Sequence, residues 1–169
     1  YQLFDFGTFV TTSYQKGSWT WSGGLRVDHR HLHAFALDDH FDRLSRNFTS
    51  LSGSVGAVCH VTDNMNLRLN AAKGFRAPGI SELSANGVHE GTQQYVLGNG
   101  QLKAEQSWQV DAGWDFTSRW VTAQLSLFAN YIDNYIFTAR QGDQQREGVP
   151  LYQYTQGDAR LLGGEAMID

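Results

Sequence analysis

The stretch Trp108-Gln109-Val110-Asp111-Ala112-Gly113-Trp114-Asp115-Phe116 decides the fold. Its even positions are Trp, Val, Ala, Trp and Phe, and its odd positions are Gln, Asp, Gly and Asp. Successive side chains of a β-strand point to opposite faces, so this segment has one oily face and one acidic or bare face. The pattern recurs on both sides of it. Val121, Ala123, Leu125, Leu127 and Ala129 alternate with Thr122, Gln124, Ser126, Phe128 and Asn130. Leu51, Val55, Ala57, Cys59 and Val61 alternate with Ser52, Ser54, Gly56 and His60, and Leu67, Leu69 and Ala71 alternate with Asn66, Arg68 and Asn70.

Composition removes the competing classes. The 169 residues suit one medium domain, with 18% charged residues, 13% aromatics, 18 glycines and two prolines. Disorder needs high charge and few aromatics, and a helical bundle tolerates few glycines. A net charge of -4 offers no basic footprint for nucleic acid. The single cysteine, Cys59, excludes an internal disulfide framework or a multi-cysteine zinc site. No segment has the apolar length of a membrane-spanning helix, and Tyr1 opens directly into strand-like sequence without a signal-peptide pattern.

Length and punctuation point to a membrane sheet. The alternating segments run roughly 9–14 residues, which a tilted strand needs to cross a bilayer, against about 5–6 in ordinary sheets. Short turns at Gln15-Lys16-Gly17-Ser18, Thr62-Asp63-Asn64-Met65 and Thr117-Ser118-Arg119 contrast with long polar links at 34–48, 78–104 and 138–150. Short turns at one end and long loops at the other are the outer-membrane barrel arrangement. Trp19, Trp21, Trp114, Phe116 and Trp120 cluster at the short-turn ends, where indoles suit a membrane interface. Seven strands are predicted, at 3–13, 18–33, 49–61, 65–77, 105–116, 120–132 and 151–168. In the first, Phe4 and Phe6 share one face and Phe9 takes the other. Single-chain bacterial barrels have even strand numbers. An odd number, with strand-like sequence running to Asp169, leads to the expectation of a piece of a larger up-and-down antiparallel barrel.

Lys73-Gly74-Phe75-Arg76-Ala77-Pro78, followed by Glu82-Leu83, resembles TonB-dependent outer-membrane receptors. In that family such a run tops an upward strand, and the Glu-Leu pair enters an extracellular loop. Gly98-Asn99 followed by Leu102-Lys103-Ala104-Glu105 is similar to a second family motif, with Gly100 and Ala104 where prolines are usual. Gly24-Leu25-Arg26-Val27-Asp28, Asn130-Tyr131-Ile132-Asp133-Asn134-Tyr135-Ile136 and Gly163-Gly164-Glu165 extend the match over most of the chain. The resemblance implies part of a barrel of about 22 strands, without the plug inside it, the TonB box or a terminal aromatic residue. It implies energised import of a scarce siderophore, haem, cobalamin or metal chelate across the bacterial outer membrane. The partners implied are outer-membrane lipid, lipopolysaccharide, the ligand and, through the plug, the TonB energy complex. No cofactor, nucleic acid or catalytic role is implied, and no nucleophile elbow, phosphate loop or His-Glu-x-x-His motif is present.

The site candidates follow from phase and loop position. His89 and Glu90, in the glycine-flanked segment 85–92, pair an imidazole with a carboxylate at the external mouth. The alternative there is a solvated polar loop. Arg26, Asp28, Arg30, Arg68, Arg76, Asp111, Asp115 and Glu165 fall on the polar phase, facing lumen and plug, where opposite charges can pair. His29, His31 and His33 continue the phase of Leu25 and Val27, as a polar rim toward lipopolysaccharide or as a surface metal site. Neighbours on one strand face lie about 6.5–7 Å apart, long for three imidazoles on one ion. The other class of reading is a small self-contained barrel, either an outer-membrane enzyme or a soluble lipophilic-ligand binder. In the soluble form the apolar phase would point inward.

Overall fold

The structure, a computed structural model, describes residues 1–35 and 43–169. Seven long strands form the framework: β1 (Gln2–Lys16), β2 (Trp19–Ala34), β3 (Leu44–Thr62), β4 (Met65–Arg76), β7 (Glu105–Thr117), β8 (Thr122–Arg146) and β9 (Val149–Ile168). Between β4 and β7 come the helical turn α1 (Ile80–Ser84) and two short strands, β5 (Asn86–His89) and β6 (Gln94–Leu97). The nine strands of the described residues lie in one sheet, ordered β1-β2-β3-β4-β7-β8-β9-β6-β5. The long strands pair antiparallel with their neighbours, as expected, and β1 does not pair with β9.

Several boundaries depart from those predicted. The stretch 138–150 is not a long loop. The β8–β9 ladder continues through it to Arg146↔Val149 and turns at Glu147 and Gly148, both with positive φ (52° and 78°). That is the backbone requirement of a tight type I′ hairpin. Register shifts between Ile132 and Tyr135 and between Arg140 and Gln145 break the alternation, so the extension does not read as strand. Likewise 78–104 is not an open link, and its β6 pairs parallel with β9 (Tyr95↔Leu151). The predicted 34–48 link shortens from one side because β3 starts at Leu44, and residues 36–42 lie outside those described.

Register carries one face intact across the sheet. Val55 lies opposite Ala71, Ala71 opposite Val110, Val110 opposite Ala129, and Ala129 opposite Leu162. A parallel row runs Ala57, Leu69, Ala112, Leu127 and Gly164. These side chains are not sealed in a core: Val55 is 59% exposed, Leu69 58%, Val110 50% and Leu127 52%. An apolar face of this extent cannot stand in water and is matched by hydrocarbon. At the short-turn end the same face carries Trp19, Trp21, Trp114 and Phe116, with Trp19 stacked on Trp21 (5.3 Å between ring centroids) and Trp114 on Phe116 (6.1 Å). Among the described residues this phase is not sealed into the water-excluding core that a soluble binder requires.

Among the described residues the buried hydrophobic cluster lies at the opposite end. Leu32, Phe48, Ala77, Leu83, Leu102 and Ile136 form it. Leu32 and Phe48 sit on the polar phase of β2 and β3, so the segment between β4 and β7 folds over the polar face.

Among the described residues the long unpaired edges include the outer side of β1, β9 beyond the three residues that meet β6, and β3 above Gly53 on the side facing β4. Open edges template further pairing. Residues 1–169 expressed alone are expected to form dimers or larger species in detergent-free buffer, and a monodisperse monomer by light scattering would contradict this.

Candidate functional site

The polar phase of the long strands is a lattice of charge pairs made within the sheet. Arg30 donates to both oxygens of Asp5 on the facing strand (2.6 and 3.0 Å), and Arg68 does the same to Asp115 (2.7 and 3.1 Å). Arg26 forks onto Asp28, two residues along its own strand (2.9 and 2.8 Å). Such planar, two-bond contacts fix side chains that would otherwise be mobile. Gly113 is opposite Arg68, and a Cβ there would lie 2.7 Å from the guanidinium. A bare residue at that point lets Arg68 lie flat across β7. Asp111 accepts only from Gln109 (2.8 and 3.1 Å), and Glu165, opposite Ser126, has no ion pair among the described residues. A depression of about 420 Å³ on this face brings Arg68, Asn70, Asp111, Gly113 and Ser126 together. The expected lumenal residues thus share a face, with most arginines already held by carboxylates of the sheet.

Above the lattice, Arg76 organises the mouth. Its Nε and Nη2 donate to the two oxygens of Glu105 (2.9 and 2.8 Å), and its Nη1 donates to Glu82 (2.9 Å). Glu82 Oε2 also accepts the Gly79 N–H at the start of α1 (2.8 Å), and Glu105 Oε1 accepts the Ile136 N–H (2.8 Å). One guanidinium therefore ties β4, α1, β7 and β8 together. Burial opposes ionisation of Glu105 most strongly. The hydrogen bond from Arg76, the Ile136 N–H and the Arg76 charge outweigh it and hold the carboxyl below its ordinary range. The hydrogen bonds to Glu105 and then Glu82 push Arg76 still higher.

The Gly98-Asn99 motif is explained by the same packing. A Cβ on Gly98 would lie 2.5 Å from the backbone nitrogens of Ser84 and Ala85, so only glycine permits this approach to the end of α1. Gly98 and Asn99 donate to the carbonyls of Ala85 and Glu82 (2.6 and 2.8 Å). Arg46 donates to the carbonyls of Gly100 and Leu102, joining the segment to β3. Leu102 is fully buried at the centre.

His89 ends β5 and Glu90 starts the turn to β6; both are exposed. The segment 85–92 is therefore one arm and the turn of a hairpin, not an irregular loop. Thr92 closes that turn through its N–H to the His89 carbonyl (3.1 Å). His89, Val88, Val96 and Tyr154 border a depression of about 240 Å³. His29, His31 and His33 stand together on the apolar phase, above Val27. The Nδ1 of His29 meets Thr49 Oγ1 (2.8 Å), that of His31 meets Asn47 Oδ1 (2.6 Å), and His33 lies edge-on to Phe35. Among the described residues no group of three His, Cys, Asp or Glu side chains is arranged to hold a metal ion.

Residues 2–169 match the model of the TonB dependent receptor-like β-barrel. The chain belongs to this family of outer-membrane receptors. Solved structures agree. The hemophore receptor HasR of Serratia marcescens, in complex with its hemophore HasA and heme, superposes with a TM-score of 0.78 at 20% identity, covering 96% of this chain and 31% of that one. The copper transporter OprC gives 0.79 at 20% identity, with 98% and 26% covered. The ferric enterobactin receptor PfeA of Pseudomonas aeruginosa gives 0.67 at 22% identity, with 97% and 24% covered. The chain thus spans about a quarter to a third of the length of these relatives.

Glu82 and Glu105 entered the sequence reading only as motif residues, and Arg46 and Asp5 not at all, because each acts through a partner 6 to 56 positions away. Arg76→Ala strands the Glu105 carboxylate and is expected to cost about 1–3 kcal/mol locally. Hydrogen exchange should accelerate in 78–104 and leave the lower strands unchanged; equal protection in the variant would refute the hub. The Glu105 contribution is complete at neutral pH because its folded pKa is lowered, and it is lost as pH falls beneath the ordinary carboxylate range and through that lowered value. The same exchange measurement down a pH series reads this loss.

Proposed function

We propose that this chain forms part of the wall and mouth of a receptor that imports a scarce, metal-bearing nutrient. The observation that supports it best is the inward-folded segment 78–104. It is anchored by Arg76 and Glu105 over the charged lumenal face, and it presents His89 and Glu90 to the outside. A rigid base with an exposed imidazole and carboxylate suits capture of a metal chelate or haem. The relatives' own ligands, heme, copper and ferric enterobactin, all carry a metal.

In this reading the chain is a run of strands from a larger barrel. Arg26, Asp28, Arg68, Asp111, Asp115 and Glu165 line its lumen, against a plug formed by another part of the polypeptide. The plug transmits the pull of the TonB energy complex. His29, His31 and His33 meet the lipopolysaccharide headgroups.

The test uses the full-length receptor. Purified protein is titrated with haem, a copper chelate and a ferric catecholate, and a strain relying on it is grown on each as sole metal source. One ligand should bind saturably and support TonB-dependent growth. His89→Ala with Glu90→Ala should weaken its binding at least about tenfold, about 1.4 kcal/mol. Unchanged affinity in the double variant would remove the hairpin from the site. Absence of growth on every metal chelate would remove the nutrient class.

A further inference from the structure

The apolar face is not uniformly convex. Where β3 and β4 cease to pair, at Gly53↔Lys73, a trough of about 610 Å³ opens across β1, β2, β3, β4 and β7. Gly53 and Ala71 form its floor, Leu25 and Val55 rise beside them, and Lys73 and Trp108 form its upper lip. Above this point β3 pairs only with β2, and β4 only with β7, so the sheet forks.

Lys73 is out of keeping with its neighbours. It shares the phase of Leu67, Leu69 and Ala71, and its ammonium lies 5.3 Å from the Trp108 ring centroid. Among the described residues it has no carboxylate partner, although the arginines of the opposite face are largely paired. Its height is set by register. The row Lys73, Trp108, Tyr131 and Arg160 crosses four strands, with Arg160 stacked over Tyr131. Phe116, at the short-turn end, is eight residues from Trp108, about 27 Å of strand. At the strand tilt of about 35–45° this rises about 20 Å, most of the ~25 Å apolar band of outer-membrane barrels. Lys73 therefore stands at the external interface, where a long cation reaches up to headgroups while its stem lies on hydrocarbon.

A concave apolar surface lipped by Lys73, a cation with no carboxylate partner among the described residues, is complementary to an acyl chain ending in an anionic headgroup. We propose that the trough seats one acyl chain of a phosphorylated lipid of the outer leaflet, and that Lys73, steadied by Trp108, holds its phosphate. The contact is a charge-assisted hydrogen bond at the edge of a low-dielectric layer, where such bonds are strongest. It rests on the lipid-facing phase and not on the identity of the imported nutrient.

The test is native mass spectrometry of the full-length receptor, stripped of lipid in detergent and titrated with lipid A or with the same lipid after phosphatase treatment. Lipid A should bind as one retained molecule, about tenfold tighter than the dephosphorylated form. Lys73→Ala should abolish that preference and Lys73→Arg should keep it. Ala71→Phe, which fills the floor without touching the cation, should weaken both lipids alike. Excess inorganic phosphate should not displace the lipid. Equal binding of the two lipids to the wild-type protein, or an unaltered preference in Lys73→Ala, would overturn the assignment of the phosphate. Displacement by phosphate, or an unaffected Ala71→Phe variant, would overturn that of the acyl chain.

Discussion

The structure depends on a ladder that keeps its phase from β1 to β9. Below the upper bulges β2, β3, β4, β7 and β8 satisfy their backbone against neighbours on both sides, so the interior of a sheet with one oily face can stand in hydrocarbon without exposing peptide groups. Because the side-chain period is two, a slip of one residue in any pairing would turn that strand's leucines and valines into the lumen and its arginines into lipid. The cross-strand charge pairs Arg30–Asp5 and Arg68–Asp115 reinforce the correct phase, since each guanidinium finds its carboxylate only there.

The external end follows another rule. There the polar phase becomes apolar, at Leu32 and Phe48, because the segment between β4 and β7 covers it. A connection of this length would ordinarily be mobile. Here it has its own small core, a glycine that permits close contact with α1, and an arginine with three carboxylate hydrogen bonds. The consequence is a division of labour: Arg76, Glu82, Glu105 and Leu102 hold the segment, and the hairpin tip with His89 and Glu90 is free to meet solutes. The motif residues shared with the family work mainly in the holding.

The two faces also differ in how they treat charge. On the polar face most arginines are neutralised in place by the sheet itself, and among the described residues Asp111 and Glu165 are carboxylates without a cationic partner. On the lipid face Lys73 is at the rim, beside Trp108 and above a hollow. Opposite arrangements of the same residue types follow from the two solvents, since unpaired charge is tolerable only where phosphate or water is within reach.

Alternation and strand length were enough to determine from sequence a membrane-barrel antiparallel sheet and which side chains share each of its two faces. These are local properties, set by a two-residue period and by turn chemistry. The extension of β8 and β9 escaped because bulges near Asn134 and beyond Arg140 reverse the alternation on which the reading rests. The inward fold of 78–104, the Arg76–Glu82–Glu105 hub and the trough beneath Lys73 were decided by tertiary structure alone. Each depends on which distant strands become neighbours and where β3 and β4 part, and no periodicity along one strand encodes that.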